Sequence, residues 1–102
     1  MSDTVTLIVT ATPNPDEPEA MKAYLEGVFP ILEKAGGEVV RRVSVVKPVI
    51  GEQTFLAAMV MEFPSVEAID AAFASDAYKA LIPDRDKGFS KLDAVVTRTM
   101  QN

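Results

Sequence analysis

Apolar positions change their period along this chain, and the change predicts its elements. Phe55 to Phe63 is an apolar run bounded by Gly51-Glu52 and by Pro64, so residues 54–63 are too few for a buried helix and suit a central strand. A period of two sorts the run into Phe55, Ala57, Met59, Met61 and Phe63 on one face and Leu56, Ala58, Val60 and Glu62 on the other. Both sets are apolar except at Glu62, which requires cover on both faces.

The rest of the chain reads around that strand. Residues 4–11 are rich in β-branched side chains and predict a first strand, with Val5, Leu7 and Val9 on one face. Three prolines between Thr12 and Pro18 remove amide donors, so the strand should stop before them and a helix should begin near Pro18. That helix should run to about Ala35 and bury Met21, Leu25, Val28 and Leu32, with Tyr24 and Ile31 beside the stripe. Pro30 inside it should bend it, either to wrap a curved sheet or to open a pocket beneath. Gly36-Gly37 should end it, one glycine being left-handed.

Residues 38–48 predict a second strand with Arg41 and Arg42 on opposite faces, joined to the central strand through residues 49–53 by a hairpin, with or without a bulge. Ser65 is a good N-cap for a helix marked by Val66, Ile69, Ala72 and Phe73. Ser75-Asp76 should cap a short segment over residues 77–82 that Pro83 ends. Residues 84–88 then read as a charged loop, and residues 92–98 as the last strand. The order is βαββαβ: a ferredoxin-like α+β fold, a four-stranded antiparallel sheet with two helices on one face. Two helices cover one face only, so the other face calls for a second copy packed sheet to sheet by two-fold symmetry.

Composition narrows the chemistry. The 102 residues suit one domain over 1–102, and 48% hydrophobic with 25% charged is ordinary globular usage. There is no cysteine, which excludes disulfides, zinc–thiolate sites, iron–sulfur clusters and thiol nucleophiles. There is no histidine, the commonest general base and metal or haem ligand. A net charge of −5 argues against nucleic acid as a partner. No basic-then-apolar leader and no membrane-length apolar run is present, so a cytoplasmic protein without a membrane partner is the expectation.

Glu62-Phe63-Pro64-Ser65 with Glu67-Ala68, then Ser75-Asp76-Ala77-Tyr78, Leu81 and Arg85, carries a resemblance over roughly residues 16–98. With Tyr24, Pro30 and Gly36-Gly37 upstream, the set resembles domain-of-unknown-function family 1330. The resemblance implies the dimeric α/β-barrel arrangement, a homodimer whose two sheets face each other. It implies no activity.

Five residues are candidates for a ligand site. Arg85 can grip a carboxylate or an enolate through two donors, or pair locally with Asp84, Asp86 or Glu62. Tyr78 can hydrogen-bond a ligand, or pack its ring and turn its hydroxyl to the backbone. Glu62, if buried, would be a base of raised pKa; if solvated, a surface ion. Tyr24 and Arg42 complete the set, the first able to be core and the second edge-strand surface. Asp84 with Asp86 is too small a cluster to hold a metal, and no cofactor is expected. The expected function is binding of a small apolar or weakly acidic molecule between sheet and helices. The alternative is a cofactor-independent enzyme, such as a monooxygenase or isomerase of a small aromatic or lactone substrate, an analogy drawn from the wider group.

Overall fold

A computed structural model describes residues 4–100. The elements are β1 (Val5–Pro13), α1 (Pro18–Lys34), β2 (Glu38–Ser44), β3 (Ala57–Phe63), α2 (Val66–Ala74), α3 (Asp76–Lys79), α4 (Ile82–Gly88) and β4 (Phe89–Thr97). The sheet is antiparallel in the order β2-β3-β1-β4, which puts β1 and β3 in the centre as the ferredoxin-like reading requires. The Cα envelope is only 16 Å thick in its thinnest direction, which leaves room for one sheet and one layer of helices. No helix among the described residues is long and apolar enough to cross a membrane.

Register decides which face of β3 meets the helices. Val5 pairs with Phe63, Leu7 with Met61, Val9 with Met59 and Ala11 with Ala57. Val5, Leu7, Met61 and Phe63 are the most deeply buried large side chains, so the phenylalanine–methionine face lies under the helices. Ala58 and Val60 look out from the uncovered face beside Ile8, with Val95 of β4 still 55% exposed.

The helix boundaries follow local chemistry. Ser65 Oγ accepts from the Ala68 amide at 3.1 Å, which caps α2. At the end of α1 the Gly37 amide donates to Leu32 O and the Gly36 amide to Glu33 O, with Gly36 at φ 93°. That pair of bonds is a Schellman closure, and the left-handed residue in it needs to be glycine. Pro30 sits on the exposed side of α1.

Four expectations are corrected. β1 continues through Thr12 and Pro13, because β3 ends opposite Ala11 and only β4 flanks the strand beyond it. β2 stops at Ser44 and β3 begins at Ala57, so the connection is longer than residues 49–53; the two strands pair antiparallel, with a register shift between Val39 and Arg41. Pro83 begins a helix instead of ending one: its missing amide falls among the donors that a first turn leaves unsatisfied anyway. Residues 84–88 are therefore helical, with Asp84 near the positive end of α4 and Lys87 near the negative end, and β4 starts at Phe89.

Candidate functional site

The core is tight at one end of the sheet and loose at the other. Beyond Leu7 and Met61 the floor under the helices becomes Val9, Met59, Ala11 and Ala57, with Ala94 on β4 opposite Val9. Alanine side chains there leave volume that larger residues would fill. A cavity of about 830 Å³ opens over that floor, roofed by α1 and α2 and reaching Tyr24, Tyr78, Arg85 and Arg42.

Three of the five sequence candidates meet at one end of it. Tyr24 projects from the buried stripe of α1, which is Ala20, Tyr24, Val28 and Leu32; Met21, Leu25 and Ile31 are only half-buried. The tyrosine thus stands at the centre of the stripe and not beside it. Tyr78 is aimed by Ser75, whose Oγ accepts from the Tyr78 amide at 3.2 Å and donates to Ala72 O at 2.7 Å, pinning the corner between α2 and α3. Arg85 rises from the middle of α4. That helix is seated by Gly88, which touches the α1 backbone at Met21, and by Asn14, whose amide donates to Gly88 O at 2.9 Å.

The three side chains form one hydrogen-bonded chain. Tyr24 Oη and Tyr78 Oη are 3.0 Å apart, and Arg85 Nη1 donates to Tyr78 Oη at 3.1 Å. Arg85 Nε donates to Asp86 Oδ1 at 3.1 Å, so the local ion pair forms with Asp86. Tyr78 turns its hydroxyl to these side chains and not to the backbone. Phe73 packs edge-on against Tyr78 and Phe89 against Tyr24, fixing both rings. Phe73 read from sequence only as core at helical spacing, and Phe89 carried no signal that set it apart from a loop.

Proton counting gives the cluster a chemical direction. Two phenolic hydroxyls hold two protons, and the bond between them uses one; arginine only donates. One phenolic proton is therefore left without an acceptor among the described residues. Burial pushes the Tyr24 phenol above its ordinary pKa, and the hydrogen bond to Tyr78 adds to the effect, so it stays protonated. The hydrogen bond to Tyr78, with Asp86 beside it, holds Arg85 above its ordinary value as a cation. A cation and a spare hydroxyl donor beside an apolar chamber suit a ligand oxygen that is anionic or carbonyl.

Of the other two candidates, one borders the cavity away from this cluster and one does not border it. Arg42 borders the same cavity from edge strand β2, its guanidinium 5.5 Å from the centroid of the Phe29 ring on α1. Glu62 is exposed on the uncovered face, opposite Glu38 and Thr6 in the register, and does not line the cavity. Among the described residues no group of three or more acidic side chains is placed to hold a metal ion.

Comparison with known proteins agrees with this architecture. No curated protein matches the chain. A crystal structure of a protein of unknown function from Rhodopseudomonas palustris superposes with TM-score 0.83 at 20% identity, over 100% of this chain and 86% of that one. A dimeric protein of unknown function and ferredoxin-like fold from Bacteroides fragilis gives TM-score 0.61 at 14% identity, over 96% and 98% of the two chains. SnoaB, a cofactor-independent oxygenase from Streptomyces nogalater, gives 0.68 at 12% identity, over 99% and 97%. These likenesses establish the ferredoxin-like α+β fold. The profile of the domain of unknown function DUF1330 matches residues 6–100, nearly the whole chain, and the protein belongs to that family.

Proposed function

We propose that the protein is a homodimeric binding protein for a small, largely apolar molecule bearing an acidic or carbonyl oxygen. The observation that carries this reading is the cavity of about 830 Å³ with Arg85 and the Tyr24–Tyr78 pair at one end. A concave, mostly apolar chamber with a few convergent polar groups is the usual form of a small-molecule site. Arg85 would hold the ligand oxygen and the spare phenolic proton would add a second bond.

The homodimer is supported by the uncovered face and by the connection after β2, where Val46, Val49 and Ile50 are 92%, 90% and 93% exposed. Apolar surface of that extent favours a partner. The similar protein from Bacteroides fragilis is described as dimeric.

A second reading is a cofactor-independent enzyme acting on a small aromatic or lactone substrate. The observation favouring it is the guanidinium beside a neutral phenol, which would stabilise an enolate as readily as a carboxylate. Binding is preferred because the carboxylate beside the cluster, Asp86, is tied to Arg85, while Arg85 is a cation and Tyr24 keeps its proton.

Calorimetric titration with aromatic and short-chain acids tests the reading. Arg85→Ala should weaken the best binder by about 1.5–3 kcal/mol, the range for a hydrogen bond to a charged group. Tyr78→Phe should weaken it less. Identical affinities for the parent and Arg85→Ala across every binder would remove the basis for the site.

A further inference from the structure

Arg42 carries more information than an edge-strand charge ordinarily does. The Cα register runs from Arg42 to Met59, to Val9 and on to Ala94, a single row across the sheet under the helices. Every other member of that row is apolar and borders the cavity. No acidic side chain pairs with Arg42 among the described residues. Its guanidinium lies instead over the Phe29 ring, 5.5 Å from the centroid.

At the opposite end Arg85 is likewise set against a ring, and it also pairs with Asp86, whose Oδ1 accepts from its Nε at 3.1 Å. Arg85 lies 5.9 Å from the centroid of the Tyr78 ring and shares a surface recess with Leu92 of β4, the other edge strand. The cavity therefore runs from one edge of the sheet to the other, with an arginine backed by an aromatic ring at each end. Three strand spacings separate the edges, about 14 Å. Val9, Met59 and the alanines Ala11, Ala57 and Ala94 make up the floor between them.

Two carboxylates also border the cavity, and neither neutralises this pattern. Asp93 pairs with Lys91 at 3.9 Å and lies opposite Thr10 in the register, on the uncovered side. Asp70 is exposed on α2.

We infer that the ligand is elongated and anionic at both ends, an apolar body held between Arg85 and Arg42 across the width of the sheet. This rests on the acid-binding reading above and specifies the ligand class. One end meets Arg85 and the spare phenolic proton. The other meets Arg42, whose stacking on Phe29 keeps the guanidinium over the chamber mouth while its donors stay available. A molecule with a single acidic end would use the first arginine only.

The test is calorimetric titration of the full chain with straight-chain α,ω-diacids of increasing length, each beside the monoacid of the same carbon count. Above a threshold length the diacid should bind about tenfold tighter than its monoacid, and Arg42→Gln should abolish that difference. Circular dichroism of Arg42→Gln checks that the variant is folded; Arg42→Lys, which keeps the charge and loses the planar fork, should restore part of the difference. Monoacid and diacid binding equally at every length, with Arg85→Ala weakening both, would overturn the two-ended ligand and leave the acid-binding reading standing. No binding by either series would overturn the two-ended ligand, and no binding by aromatic acids as well would overturn both.

Discussion

Ile8→Asp is expected to turn a dimer into a monomer. Ile8 lies on central strand β1 between Val60 of β3 and Val95 of β4, in the middle of the face that no helix covers. In a sheet-to-sheet dimer this position meets the partner, and a standard interface buries about 800 Å² from each side. An aspartate there becomes a buried, unpaired ion at a cost of several kcal/mol of association free energy. Val60 is a weaker choice for the same experiment, since Arg41 lies opposite it and would pair with an introduced acid. Light scattering at micromolar concentration should give the dimer mass for the parent and the monomer mass for the variant, with the far-ultraviolet dichroism of the two alike. A parent that is already monomeric, or a variant that remains dimeric, would reject the sheet face as the interface.

Gly88→Ala is expected to lower stability by about 3 kcal/mol, near the top of the usual range for overpacking. A Cβ at position 88 would stand 2.5 Å from the Met21 amide nitrogen and 2.6 Å from its Cα, both backbone atoms of α1. Backbone cannot swing aside as a side chain can, so α4 would have to move off α1. That movement separates Arg85 on α4 from Tyr24 on α1, so ligand affinity should fall together with stability. Gly27→Ala is the control. The nearest obstruction there is Leu81 Cδ2, also at 2.5 Å but at the end of a flexible side chain, and the loss should be much smaller. Urea denaturation of the three proteins checks the order; equal midpoints for Gly88→Ala and the parent would mean that the two helices are not locked at this contact.

Most of the fold was legible because periodicity and local chemistry agree. The central place of β3 in the sheet, the cap at Ser65 and the paired glycines after α1 each point to one structure, and each is observed. The errors fall where one residue type serves two purposes. Pro83 ends a helix from one side and begins one from the other, and its neighbours Asp84 to Lys87 suit a loop or a capped helix equally. Pro13 stays in a strand because the neighbour that would have needed its amide has already stopped. In the site, Tyr24, Tyr78 and Arg85 were legible as individual candidates. Their union depends on α1, α3 and α4 converging, which no local pattern records. Glu62 is charged at the end of an apolar strand, and only the register assigns it to the uncovered face.

The most direct test is a crystal structure of the protein with a carboxylate ligand selected by the titrations above. The expected result is a carboxylate against Arg85 and the Tyr24–Tyr78 pair, with the apolar body lying over Ala11, Ala57 and Met59 between sheet and helices. A ligand bound on the uncovered sheet face, or a chamber closed by its own side chains while the acid sits on the surface, would contradict it.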